Sequence, residues 1–377
     1  MLPFLKSFKK ELSKLENVST DFRPPTHWYS SGNYAINRIM SGDFHRGIPQ
    51  GRISVLAGPS GSGKSFLLSN IICAAQKDGA FILVLDSENA LDTDFLQKIG
   101  VDISPDRFLG VSVVTISDVV STVSDFIKMY EKEYGRYNEA APKILIALDS
   151  LDMLLTDSEL DHFDHGVQKG DQGQRAKQMK HFLRTTVAKI KALNIAFIGT
   201  HQVYPADVLA GEGKWAINNA IRYSCSQIML LTKLKLKIGD EIAGIRMSCE
   251  TFKSRFAKLG SKTEVMVPYN TGLNPYSGLL VLLEADGVAQ QSGAWWSCTF
   301  PGEKPFSFQS TKLDKELADR LLSHPKCQAI SKQFEDIAAT PETLEEVGLA
   351  DAPVVEAGEL FVSTDEIKPI QEGADNV

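Results

Sequence analysis

The run ISVLAGPSGSGKSFLLSNIICAAQK, residues 53–77, decides the fold. It opens with ISVLA, four apolar residues and one serine in a strand-forming run, and turns through GPSGSGKS. It then continues with the spacing of a helix. A strand, the pattern GxxxxGK[ST] and a helix in that order form a phosphate cradle. The glycines let the backbone close around phosphate oxygens and aim its N–H groups at them. Lys64 adds a point charge for the β- and γ-phosphates, and the Ser65 hydroxyl is suited to Mg2+. Gly58, Pro59, Ser60, Gly61, Ser62, Gly63, Lys64, Ser65 and Phe66 are therefore the expected nucleotide-binding residues.

Three more apolar runs lie downstream: FILVLD (81–86), ILIALD (144–149) and IAFIGT (195–200). Strands buried on both faces read this way, and the stretches between them are long enough for crossover helices. The pattern predicts a mostly parallel α/β sheet with flanking helices. LLVLL (279–283) has the length of a further buried strand. KLKLKIGDEIAGIRMSC (233–249) alternates around Gly-Asp and predicts a hairpin.

Ligands in such sheets gather at the carboxyl ends of the strands. Asp149, at one end, is placed to hold Mg2+ through its waters. Glu88, just beyond another, is the candidate for orienting or deprotonating water. Gln202, after a third, can hydrogen-bond a γ-phosphate.

The 377 residues allow two or three domains. At 43% hydrophobic and 23% charged, the composition is that of a globular chain and excludes a disordered or collagen-like one. No apolar run approaches the ~20 residues that span a bilayer, and no secretory signal is visible, so a cytoplasmic location is expected. The five cysteines lack CxxC spacing and read as reduced thiols. The net charge of −7 is unevenly spread. Residues 341–377 carry ten acids against Lys368, which leaves the remainder slightly basic.

Leu5, Phe8, Leu12 and Leu15 share one helical face near the N-terminus. RPPTHWYSSG (23–32) reads as a linker that frees this helix to dock on another copy. The expected organisation is residues 1–30 for docking, 31–283 for the core, 284–335 for a small C-terminal domain with a helix in TKLDKELADRLLSH, and 336–377 for an acidic tail.

These residues resemble the RecA-type strand-exchange recombinases, most closely the recombinase of T4-like bacteriophages. The likeness spans about residues 34–296 and rests on LDSENALD (85–92), LDS (148–150), GTHQ (199–202) and KSRFA (253–257) as well as the P-loop. It implies a RecA-like P-loop NTPase core that uses ATP and Mg2+. Glu88 takes the catalytic role, Asp92 and Phe95 bracket the adenine, and Gln202 senses the γ-phosphate. Lys253 and Arg255 face the ATP of the adjacent subunit, with Tyr276 near its base. His201 stands where bacterial members commonly have asparagine.

The resemblance also implies two DNA loops, about 156–175 and 203–219, whose glycine and polar content reads as irregular. Lys169, Arg175, Lys214 and Trp215 are the candidates for phosphate contact and base stacking. Asp161, His162, Asp164 and His165 read as loop polarity rather than a metal site. The implied function is a DNA-dependent ATPase that forms helical filaments on single-stranded DNA and pairs it with a homologous duplex, without sequence specificity. Single-strand-binding or mediator proteins are further expected partners, through the tail or the N-terminus. The alternatives are a hexameric helicase motor on the same core and a recombination mediator paralogue.

Overall fold

The computed structural model describes residues 2–12, 14–15, 24–89, 91–167, 169, 173–205, 215–238, 241–269 and 272–329. The chain begins with α1 (Pro3–Leu12), β1 (Trp28–Tyr29), α2 (Tyr34–Ser41) and β2 (Ile48–Pro49). The nucleotide-binding half follows as β3 (Ile53–Gly58), α3 (Lys64–Lys77), β4 (Phe81–Asp86), α4 (Thr93–Ile99), β5 (Phe108–Ser112), α5 (Ile116–Tyr134) and β6 (Ile144–Asp149). Next come α6 (Asp157–Asp164), α7 (Gln174–Ile190), β7 (Ile195–Gln202), β8 (Tyr204–Pro205), β9 (Trp215–Ala216) and α8 (Asn219–Ser224). The hairpin β10 (Gln227–Ile238) and β11 (Glu241–Ser254) leads to β12 (Lys262–Pro268) and α9 (Leu279–Ala285). Strands β13 (Ala289–Ser292), β14 (Trp295–Cys298) and β15 (Phe306–Gln309) precede α10 (Lys315–Leu322).

One eight-stranded sheet organises the molecule in the order β12-β11-β10-β3-β7-β6-β4-β5. From β10 to β5 the neighbours are parallel, and β10-β11-β12 is antiparallel. The four apolar runs are strands, as their composition predicts, and three of them are buried at every residue. Side chains alternate across a strand, so each run feeds two cores. Ile53 and Val55 of β3 meet α5, α7 and α8 on one face, whereas Leu56 meets α2 and α3 on the other. The expected α/β class, with helices on both faces of a mostly parallel sheet, is the observed one.

Three expectations are corrected. LLVLL is the helix α9, not a strand. Leu279, Leu280 and Leu283 are buried while Val281 is exposed, the three-to-four spacing of a helical face, and Gly278 at φ 82° starts it. The segment 156–175 is not simply irregular. Thr156 and Glu159 exchange side-chain-to-backbone hydrogen bonds in a capping box that starts α6, and α7 begins at Gln174. The linker reading holds only in part, because Tyr29 is fully buried and its hydroxyl donates to the Ile144 carbonyl at 3.3 Å.

The predicted hairpin forms, with Ile238 opposite Glu241. The C-terminal helix starts later than TKLD, because Asp314 caps it by accepting from Leu317 N. All five cysteines are free and buried. Phe4, Leu5 and Phe8 of α1 are exposed. Among the described residues no helix is long and apolar enough to cross a membrane.

Candidate nucleotide site

The parallel register brings four strand ends together. Gly58 of β3 lies opposite Gln202 of β7, and Asp86 of β4 opposite Asp149 of β6. The loop after β3 is tightly enclosed. A Cβ on Gly58 would strike the Leu231 carbonyl of β10, so only glycine fits there. Gly63 caps α3 at φ 96°, and its own Cβ would press on Met247. The loop's N–H groups and the amino end of α3 thus face one concavity.

Lys64 bends over this loop and donates to the carbonyls of Gly58 (3.0 Å) and Pro59 (3.1 Å). Burial lowers the pKa of its ammonium, and the nearby carboxylates of Glu88, Asp149 and Asp152 oppose that shift. The Ser62 hydroxyl is buried without a hydrogen-bond partner.

Asp149 is 1% exposed. Its Oδ1 accepts from the Thr200 hydroxyl, and Oδ2 is buried without a hydrogen-bond partner. Burial raises the pKa of this carboxyl; the Thr200 and Ser65 hydroxyls lower it, and Glu88 and Asp86 raise it further. Ser65 and Asp149 therefore fit a divalent cation: a hard oxygen pair with one oxygen unmatched. Among the described residues no cluster of three or more His, Cys, Asp or Glu could hold a metal by itself.

A carboxyl whose folded pKa is raised favours folding only when protonated, and that contribution is lost as pH rises through its folded value. Asp149 thus costs stability at neutral pH. Asp149→Asn should raise the Tm of the nucleotide-free protein, each 1 kcal/mol appearing as about 1–2 °C in a chain of this length. The gain over the native chain should widen as pH increases from the acid range toward neutrality. Melting curves across that range test it, and a variant less stable at neutral pH would contradict it.

Glu88 is exposed and held from two sides. Its amide donates to Asp86 Oδ1 at 3.0 Å, and its Oε1 accepts from the Ser150 hydroxyl at 2.5 Å. Ser87 ties the same two strand ends, donating through its amide to the Asp149 carbonyl and exchanging bonds with Ser150. Gln202 is the last residue of β7, just beyond the apolar run. Its amide donates to Asp152 Oδ2 at 2.5 Å, and the next amide, of Val203, reaches the Gly58 carbonyl at 3.2 Å. Lys64, Ser65, Glu88, Asp149 and Gln202 are thus assembled around one crevice.

Other candidates are not. Lys253 lies opposite Ile228, and Ser254 opposite Gln227, which pairs with Ser54 at the amino end of β3. The P-loop leaves the carboxyl end at Gly58, four residues further on, about 13 Å away along the strand at ~3.3 Å per residue. A bulge at Phe252 re-aims the strand there. Lys253 donates to the Arg222 carbonyl, and its pKa is lowered by burial, with Arg255 and Arg222 adding to the effect. Arg52 is likewise lowered, by burial and then by Arg255. The result is a knot of like charge remote from its own chain's P-loop.

Asp92 caps α4, its Oδ1 accepting from Phe95 N at 2.7 Å. Tyr276 stacks on Tyr34 at 5.8 Å beside β12, to which Ser277 is bonded. β12 is one edge of the sheet and β4 is next to the other, about 30 Å apart at ~4.8 Å per strand. Asp92, Phe95 and Tyr276 of one copy cannot enclose a single base.

The DNA candidates are dispersed. Lys169 is exposed. Arg175 is half-buried and donates to the carbonyls of Leu151 and Asp152. Lys177, Lys180 and Arg184 are exposed along α7. Trp215 pairs with Pro205 and packs against the core on the α5–α7 side. Lys214 and the acidic tail lie outside the described residues. Two neighbours of the site gave no sequence signal: Lys233, whose Nζ would sit 2.6 Å from a Cβ on Gly61, and Asp152.

The RecA N-terminal domain family matches residues 6–274. The chain belongs to the RecA family. It is 27% identical over 307 residues to Protein RecA of Pseudomonas savastanoi pv. phaseolicola, covering 78% of each chain. Against Protein RecA of Thermus aquaticus it is 26% identical over 324 residues, 83% of each. Protein RecA of Pseudomonas fluorescens is 28% identical over 318 residues, which cover 78% of this chain and 84% of the relative. The family match spans the P-loop, the strand ends and the basic knot alike.

Proposed function

We propose that the protein is a DNA-dependent ATPase that polymerises on single-stranded DNA and pairs it with a homologous duplex. Membership of the RecA family supports the activity. The observation that carries the arrangement is the separation of Lys253 and Arg255 from the P-loop of the same copy. A nucleotide at the P-loop can meet that pair only across a junction between copies, which makes ATP part of the contact that builds the filament.

In this reading the P-loop from Gly58 to Phe66 grips the phosphates, and Asp92 and Phe95 flank the adenine. Tyr276 approaches the base from the next copy. Ser65 and Asp149 hold Mg2+, which neutralises phosphate charge when bound. Glu88, steadied by Ser150, accepts a proton from the attacking water. Gln202 donates its side-chain amide to the γ-phosphate. Lys169, Arg175, Lys214 and Trp215 serve the DNA loops. Residues 31–283 form the motor, 1–30 dock on a neighbour, and 284–335 form a small domain. The LDSENALD and KSRFA segments support a position nearest the recombinases of T4-like bacteriophages, acting in the host cytoplasm.

Electron microscopy with single-stranded DNA and a non-hydrolysable ATP analogue tests the reading. Open helical filaments are expected; closed rings would favour the helicase motor instead.

The tail yields a separate prediction. A segment with ten acids can occupy a basic DNA groove until DNA displaces it. Deleting residues 341–377 should tighten single-stranded DNA binding several-fold at low salt and alter the slope of affinity against salt. Titrations at several salt concentrations measure it, and an unchanged slope would dismiss the competition. A tail that leaves DNA affinity untouched would then serve to recruit single-strand-binding or mediator proteins.

A further inference from the structure

Asp152 has no role in the chemistry described above, yet one of its oxygens joins three segments of the site. Oδ2 accepts from Gln202 N at 2.5 Å and from His201 Nδ1 at 2.9 Å. The other ring nitrogen, Nε2, accepts from Asn218 N at 3.4 Å. A backbone N–H can only donate, so Nε2 bears the lone pair and Nδ1 the proton. The two bonds thereby fix the tautomer. Asn218 is the N-cap of α8, where the second proposed DNA loop re-enters the fold. Arg175, where the first re-enters as α7, donates to the Asp152 carbonyl.

Asp152, Arg175 and Asn218 line a cleft of about 220 Å³, together with Leu151, Gly173 and Met179. Its walls are the exits of both loops, and Asp152 is the wall nearest the nucleotide crevice. The His201 side chain is 5% exposed and that of Asp152 is 22%. A buried polar pair of this kind holds its geometry because each broken bond leaves an unsatisfied group behind.

We propose that Asp152 is a positioning residue that couples the Gln202 strand end to the second DNA loop through the His201 ring and to the first through its main-chain carbonyl. The inference rests on the function proposed above. Gln202 and His201 are adjacent on one strand, so their side chains point to opposite faces. A shift of the backbone as the Gln202 side chain turns toward a γ-phosphate moves both donors to the shared oxygen. His201 carries the displacement to Asn218 and α8. The bond from Arg175 carries it to α7. Coupling of this kind is reciprocal: DNA held by the loops must favour the same strand-end position that ATP favours.

The test measures single-stranded DNA affinity with and without a non-hydrolysable ATP analogue and takes the ratio. Asp152→Ala and His201→Ala should each cut that ratio about tenfold, and His201→Ala, which leaves the carboxylate near Lys64 in place, should change analogue affinity in the absence of DNA less than about threefold. Asp152→Asn keeps an oxygen at the shared position and should hold the ratio within about threefold of the native value. The double alanine variant should lose no more than either single one, because both break the same Asp152–His201 link while the Arg175 bond to the main-chain carbonyl persists in each. Melting curves verify folding, and His201→Ala answers the question if Asp152→Ala does not fold. An intact ratio in both alanine variants, or losses that multiply in the double variant, would overturn the inference while leaving the function standing. A native protein whose DNA affinity ignores the analogue would overturn both.

Discussion

Lys64→Ala is expected to cut DNA-stimulated ATP turnover by about 10²-fold or more, the scale seen when one charge-stabilising group is removed from a reacting centre. Stable filament formation should fail with it. Lys64 starts α3 directly after the loop and donates back into it, through contacts to Gly58 and Pro59. Burial already makes its ammonium less favourable, and three carboxylates offset that cost. Phosphate oxygens entering the concavity would supply better acceptors than the two neutral carbonyls. Removing the amine leaves Asp149 and Glu88 facing the same phosphates without their counter-charge, so substrate is repelled as well as left unstabilised. Lys64→Arg keeps the charge but replaces a compact ammonium with a planar fork that the tight loop does not fit. It should retain nucleotide binding better than alanine does, yet still lose most turnover. Steady-state ATPase assays and nucleotide titrations separate the two effects. Turnover retained by the alanine variant would refute the site.

The parts of this site that the sequence revealed are those that depend on short-range pattern. A strand buried on both faces must be apolar throughout, so β3, β4, β6 and β7 were visible as runs, and their polar terminal residues marked the crevice. LLVLL misled because five apolar residues satisfy a strand or a helix equally; only the exposure of Val281 between buried leucines distinguishes them. The capping box that starts α6 was written in Thr156 and Glu159 but lay within a glycine-rich, polar stretch. Asp152 was illegible for a different reason. Its partners Gln202 and His201 are some fifty positions away, and nothing local separates it from a solvated aspartate. The placement of Lys253 and Arg255 also needed topology. Their strand runs antiparallel to β10, which carries them to the amino edge of the sheet, away from the loop that their charge would serve.

That placement makes action between copies a measurable outcome. Arg255→Ala should leave nucleotide binding to the isolated protein nearly unchanged and lower DNA-stimulated turnover about 10³-fold, as loss of a cation supplied in trans does. Glu88→Gln should also be inactive, because it keeps the shape of the site but cannot take the water's proton. Each variant is defective at a different half of the junction. In a filament assembled from both, the intact Glu88 of an Arg255→Ala copy will sometimes face the intact Arg255 of a Glu88→Gln copy. The junction between them then has every native group in place. Random assembly of an equal mixture produces about a quarter of such junctions along a head-to-tail array. Turnover of the mixture should therefore rise far above that of either variant alone, toward about a quarter of native activity. If Arg255 served the nucleotide of its own copy, no junction in the mixture would be complete and activity would stay at the sum of the two defective proteins. Equal loss of monomeric nucleotide binding in Arg255→Ala would argue the same way. The distance along β3 favours complementation: the charge knot lies level with the amino end of β3 and the P-loop leaves its carboxyl end, and no side chain spans about 13 Å along the strand on top of the two strand spacings between β11 and β3.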